Sequence, residues 1–156
     1  MSTVSIKRRD WLLAVATLPL ALPVVQAATL PQASDLQREL ATALAKRQPL
    51  VVMVSLEGCP FCKVARNNYL SPLHEQEGLP VVQVDMGSRD RLFDFQGHTL
   101  QHGDLARQWR IRIAPTVLFF GRGGAEVAER LVGSYIPDFY GAYLDQRLEQ
   151  ARATLR

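Results

Sequence analysis

The spacing of hydrophobic residues changes along this chain, and each change marks an element. Leu36, Leu40, Ala43 and Leu44 recur at helical spacing after Ser34-Asp35, either of which can cap a helix running to about Lys46. Pro49 ends that pattern. Leu50 to Leu56 is a near-continuous apolar run rich in β-branched residues, the pattern of a strand buried on both faces. Glu57-Gly58 turns the chain, and Pro60 suits the first turn of a helix because its missing N–H would be unpaired there. That helix runs to about Leu70, where Ser71-Pro72 ends or bends it. Leu79 to Asp85 reads as a second strand, parallel to the first across the intervening helix. Residues 86–103 read as a long polar loop with three glycines, and Leu105 to Trp109 as a short helix capped by Asp104. Ile113 to Phe120 is a third strand, Gly121 to Gly124 a turn, and Glu126 to Val132 a fourth strand, antiparallel to the third. From Pro137 a last helix directs Phe139, Tyr140, Tyr143, Leu144 and Leu148 towards the core. This order implies an α/β fold with helices on both faces of a sheet.

The first 27 residues follow a different logic. Lys7, Arg8 and Arg9 precede an apolar stretch of about 14 residues, Leu12 to Val25, and Val25-Gln26-Ala27 offers small residues at −3 and −1. The stretch falls short of the roughly 20 residues of a spanning helix. Residues 1–27 are therefore expected to be an export signal cleaved before Ala28, and residues 28–156 one domain, with an uncleaved N-terminal anchor as the alternative. Lys7-Arg8-Arg9-Asp10-Trp11-Leu12-Leu13 resembles the twin-arginine export motif, with Lys7 where Ser or Thr is usual; an ordinary secretory signal is the other reading. Either route implies the periplasm, where disulfides persist. Of the net charge of +3, the signal carries most: the rest has 15 Lys/Arg against 14 Asp/Glu. Nothing in that balance points to nucleic acid, which asks for a clustered basic face.

The chain has two cysteines, Cys59 and Cys62, two positions apart between the first strand and the following helix. Thiols at that spacing can close and reopen a disulfide. A helix starting at the first favours its thiolate, the nucleophile in exchange. Three plainer readings compete. A zinc site would need two more ligands, and His98 and His102 are separated by x3, but Cys62 lies 36 positions before His98, far beyond the roughly 12–15 of a zinc finger. A static bridge would close a very short loop and add little chain-entropy stabilisation. The third reading is two inert buried thiols.

Taken together, the strand-Cys59-Pro60-Phe61-Cys62-helix unit, Ala114-Pro115-Thr116 about 50 residues later, and the Gly-rich hairpin with its closing helix resemble the thioredoxin-like superfamily over about residues 34–152. The resemblance implies a thioredoxin-like fold, a central mixed four- to five-stranded sheet flanked by helices on both faces. Cys62-Lys63, Asn68-Tyr69-Leu70-Ser71-Pro72 and Ile113-Ala114-Pro115-Thr116 are similar to exported bacterial members, including those linked to sulfur-oxidation gene clusters. It implies that Cys59 attacks, that Cys62 resolves the mixed disulfide, and that Pro115 is cis beside the sulfurs. Small Ala114 would leave access, and Pro60 and Phe61 would tune the pair and shape the site. Lys63 and Glu57 are candidates for electrostatic support, each also readable as a solvated surface charge.

Two departures stand out. Cytoplasmic thioredoxins have Trp-Cys-Gly-Pro-Cys and a buried Asp in the preceding strand; here Gly58 and Met53 take the Trp and Asp positions, and Pro-Phe between the cysteines is closer to glutaredoxins. His74, His98 and His102 are read as exposed loop histidines, Trp109, Phe119 and Phe120 as core, and Phe93 and Phe95 as anchors of the long loop. The expected function is a periplasmic thiol–disulfide oxidoreductase that reduces protein or small-molecule disulfides. No metal or cofactor beyond the cysteine pair is implied, and the resemblance implies a membrane thiol-electron donor of the DsbD type. The alternatives are a disulfide-donating oxidase or isomerase, and a non-enzymatic metal or persulfide carrier.

Overall fold

A computed structural model of the protein describes residues 29–133 and 137–156. The expected export signal and its expected cleavage before Ala28 lie outside the described residues. No described helix is long and apolar enough to cross a membrane.

The sheet is mixed. Strand β1 (Leu50–Ser55) pairs in parallel with β2 (Val81–Asp85) and antiparallel with β5 (Thr116–Phe120), which pairs with β6 (Leu131–Val132), in the order β2-β1-β5-β6. All six residues of β1 are buried, because it is central and covered on both sides. Alternation of side chains then builds two cores. Val51, Met53, Val117 and Phe119 face α2 (Pro60–Ala65), α3 (Ser71–Glu77) and α5 (Pro137–Thr154). Leu50, Val52, Val54, Leu118 and Phe120 face α1 (Leu36–Ala45) and α4 (His102–Gln108). Each such aliphatic or aromatic burial contributes about 1.5–3 kcal/mol. Asp35 caps α1, its carboxylate accepting from the Arg38 N–H at 3.0 Å.

Several boundaries differ from the sequence reading, each for a local reason. The helix after the cysteines does not stop at Pro72. A π-helical turn over Arg66–Leu70 joins α2 to α3, and this wider turn accommodates a proline that has neither an N–H to donate nor room for the carbonyl of the preceding turn. Residues 86–103 are not a plain loop: β3 (Arg91–Phe93) and β4 (Thr99–Gln101) form an antiparallel hairpin, and α4 starts at His102 after Gln101 rather than at an Asp104 cap. β5 begins at Thr116, since Pro115 has no N–H for a ladder. On the returning strand, Glu126 bridges Phe120 and Leu131 pairs with Val117, so five steps answer three and the strand bulges between them. In α5, Tyr140, Leu144, Leu148 and Ala151 form the buried stripe, while Phe139 and Tyr143 are exposed, because they sit a quarter-turn off that stripe.

Phe119 and Phe120 are core, and Phe95 packs against Trp109 and Phe120 with ring centroids 6.2 and 4.7 Å apart. Gly124 has φ +74 with the Phe95 ring 2.7 Å from where a Cβ would stand, so only glycine fits there. Phe93 is exposed. Residues 31–33 add an edge to β2: Gln83 donates to the Pro31 carbonyl and accepts from the Ala33 N–H, both at 2.8 Å.

Candidate redox site

The cysteines sit where β1 ends and α2 begins. After Ser55 the chain reverses through Leu56–Gly58, with the Cys59 N–H donating to the Leu56 carbonyl at 3.2 Å. Gly58 closes that turn at φ +75, a conformation most side chains resist. A tryptophan at this position, as in cytoplasmic thioredoxins, would not adopt it readily. Cys59 is the N-cap of α2 with extended backbone, and Pro60 occupies the first turn. The Cys59 Sγ accepts from the Cys62 N–H at 3.1 Å. This sulfur takes the place a Ser or Asp oxygen fills at most helix starts, so negative charge on it is favoured by an N–H and by the helix dipole together.

Cys59 and Cys62 form a disulfide with Cα atoms 5.3 Å apart. The two sulfurs differ in access. Cys59 is half-buried, whereas Cys62 is 1% exposed and sits in the core with Val51, Met53 and Tyr140. The Ala114 carbonyl lies 3.8 Å from the Cys59 sulfur, and the Ala114–Pro115 peptide is cis. Two bonds hold that loop: Thr116 Oγ1 donates to the Ile113 carbonyl and the Gly133 N–H donates to the Pro115 carbonyl, each at 2.7 Å. Phe61, between the two cysteines, is 58% exposed, and Ile113, next to Ala114, is 42% exposed.

Met53 is fully buried, and it brings no acid to the Cys62 side of the core. Ser55, two residues on and therefore on the same face of β1, is buried with its hydroxyl unpartnered among the described residues. Glu57 and Lys63 are exposed and both line a cleft of about 500 Å³ that Cys59 also lines. Arg66, Gln83, Asp85, Thr29, Leu30 and Gln32 also line it. The sequence reading did not single these out. Arg66 was detectable as the i+3 neighbour of Lys63, and Asp85 as the end of a parallel strand beside Ser55. No sequence signal marks Thr29, Leu30 or Gln32.

The histidines take other roles. His102 is buried rather than exposed in a loop, because α4 begins there, and its Nδ1 accepts from the Asp85 N–H at 3.3 Å. His74 Nδ1 donates to the Leu79 carbonyl at 2.9 Å. His98 faces Asp94 at 3.3 Å. None lines the cleft at Cys59. The structure does not bring His98 or His102 to the cysteines, and among the described residues no group of three or more His, Cys, Asp or Glu could hold a metal ion. The titrations of Asp94 and Tyr140 are both displaced. Burial works to raise the Asp94 carboxyl, but N–H groups of His98 and Gln96 and the His98 ring outweigh it and hold it below the ordinary value. Burial, with a smaller contribution from Tyr69, pushes the Tyr140 phenol well above its ordinary value.

The arrangement is that of an exchangeable disulfide: one accessible sulfur that accepts a helix N–H, one buried sulfur behind it, and an open cleft at the first. Two solved thioredoxins agree in fold. The thioredoxin from Fasciola hepatica is 16% identical, with 76% of this chain and 98% of that one covered and a TM-score of 0.51. Poplar thioredoxin h is 18% identical, with 74% and 96% covered and a TM-score of 0.50. The reduced form of the periplasmic thioredoxin SoxS from Paracoccus pantotrophus is 21% identical, with 67% and 99% covered and a TM-score of 0.44. No curated protein matches the chain. A family model described as a thioredoxin-like domain matches residues 36–148, well over half the chain, so the chain belongs to the thioredoxin-like domain family.

Proposed function

We propose that this protein is an exported thiol–disulfide oxidoreductase that works as a reductase in the periplasm. The observation that carries the redox reading is the asymmetry of the pair: Cys59 accessible and held by the Cys62 N–H, Cys62 buried behind it. In the reduced pair the Cys59 thiolate attacks one sulfur of a substrate disulfide. A Cys59–substrate disulfide forms and the first substrate thiol leaves with a proton. Cys62 then gives up its proton and attacks the Cys59 sulfur, releasing the second thiol. Two electrons and two protons pass to the substrate, and the pair ends oxidised.

The periplasmic address rests on the N-terminal sequence, with cleavage before Ala28. In that compartment the oxidised pair needs a dithiol donor, and a membrane thiol-electron transporter of the DsbD type fits that need. Cys59, Cys62 and Pro115 act in exchange, and Phe61 and Ala114 shape the approach of the substrate.

Cys62→Ser tests the assignment. The attack at Cys59 proceeds but resolution stops, so mixed disulfides accumulate and are visible on a non-reducing gel; Cys59→Ser accumulates none. Absence of adducts in Cys62→Ser would sink the redox reading. Direction is read separately from the reduction potential of the pair: a value near about −270 mV fits a reductase, and one near about −120 mV would make the protein an oxidant.

A further inference from the structure

The cleft beside Cys59 is lined by charge of both signs, two cations from the helix and two carboxylates from the strand ends. Lys63 and Arg66 come from the helical wall. Glu57 and Asp85 come from the carboxyl ends of β1 and β2, which run in parallel with Ser55 opposite Asp85. Among the described residues, none of the four forms an ion pair. Arg66 is held in place by its Nε donating to Gln83 Oε1 at 2.7 Å, and its terminal N–H groups make no other bond among the described residues. A guanidinium fixed at one edge in this way offers the other edge to a carboxylate. At about 500 Å³ the space suits a small molecule rather than a folded partner.

We propose that this cleft binds a low-molecular-weight disulfide of the α-amino-acid type, with an ammonium and a carboxylate close to its sulfur. The proposal rests on the oxidoreductase reading and names its substrate class. The carboxylate meets Arg66 and Lys63, the ammonium meets Glu57 and Asp85, and the disulfide lies against Cys59. A ligand bearing only negative charge would face Glu57 and Asp85, and one bearing only positive charge would face Lys63 and Arg66. Both lose half of the complementarity. The reaction is that given above: one amino-acid disulfide becomes two thiols, and the cysteine pair supplies the two electrons and is restored by a dithiol donor.

The test is oxidation of the reduced full-length chain by four disulfides: cystine, cystamine, 3,3′-dithiodipropionate and bis(2-hydroxyethyl) disulfide. Each rate is normalised to the same compound's reaction with dithiothreitol. Cystine is expected to exceed each single-sign analogue by about tenfold, the effect of one charge-assisted contact. Lys63→Ala should erase most of the preference for cystine over cystamine, and Glu57→Gln most of that over dithiodipropionate. Using ratios removes any change in Cys59 reactivity itself. Normalised rates equal within about twofold, or a cystine preference that both variants keep, would overturn the cleft assignment while oxidation by the hydroxyethyl compound leaves the redox reading standing. No oxidation by any of the four overturns both.

Discussion

On the face of the sheet covered by α1 and α4, the buried polar side chains Asp94 and His102 both meet backbone N–H groups. On the face covered by α2, α3 and α5, the hydroxyls of Ser55, Ser71 and Tyr140 are buried with no partner among the described residues. Both faces bury comparable aliphatic side chains from the same strands. The difference is in the hydroxyls: on α1 one Glu39 oxygen is also buried without a partner among the described residues, but its other oxygen accepts from the Ser34 and Asp35 N–H groups, whereas none of the three hydroxyls on the Cys62 side has a partner. A face built for stability alone pairs its buried polar groups, because an unpaired hydroxyl costs about 1–3 kcal/mol. Unpaired groups concentrated near reactive cysteines fit the general tendency of sites to depart from the rules that hold elsewhere in a fold.

Four substitutions test that contrast. Leu118→Ala, on the α1/α4 face, should cost about 2–5 kcal/mol by denaturant unfolding, because a fully buried side chain leaves a cavity. It should leave Cys59 reactivity towards a thiol reagent unchanged, since Leu118 belongs to the other core; a change there would show that the two faces are not independent.

Asp94→Asn should cost about 1–3 kcal/mol near neutral pH, as a carboxylate accepting from two N–H groups is replaced by an amide. Its pH dependence has a definite sign. The folded carboxyl titrates below its ordinary value, so its contribution is present above about pH 3.9 and is lost as pH falls through the folded value. Urea unfolding of wild type and Asp94→Asn should therefore converge in acid. Parallel curves would contradict the pairing.

Tyr140→Phe is the counterpart on the cysteine face. Its phenol is raised, so the neutral form is favoured in the fold and its stability contribution is lost as pH rises above about 10. Removing an unpaired hydroxyl should change stability by no more than about 1 kcal/mol near neutrality and should blunt the alkaline loss. A larger cost at neutral pH would mean that the hydroxyl is bonded. The smallest effect is expected from Ser55→Ala, within about 0.5 kcal/mol and not necessarily destabilising, measured as a shift in denaturation midpoint. A cost above about 1 kcal/mol would remove Ser55 from the contrast.

The parts of the molecule legible beforehand are those with strong local signals. The all-buried pattern of β1 follows from its unbroken apolar run, and α2 from a proline at its first turn. The β3–β4 hairpin was not legible, because its strands are three residues each and mostly polar on the outside. Whether the helix ends or bends at Ser71-Pro72 was left open by the sequence, and the π turn that carries it past the proline is what the tertiary structure adds. The exposure of Phe139 and Tyr143 shows that an apolar residue near a core stripe is not thereby in it.

Sequence alone determined the order of elements apart from the β3–β4 hairpin, the sheet's two-sided coverage and the reactive pair, because each depends on residues adjacent in the chain or repeating at a fixed period. Tertiary structure decided everything that converges on Cys59 from a distance. Ala114 reaches the sulfur from 55 positions away, Asp85 arrives because β2 lies beside β1, and Thr29, Leu30 and Gln32 line the cleft because residues 31–33 pair with Gln83 along the edge of β2. Such contacts depend on strand order and register, which arise only when the sheet packs as a whole and carry no periodic trace in the chain.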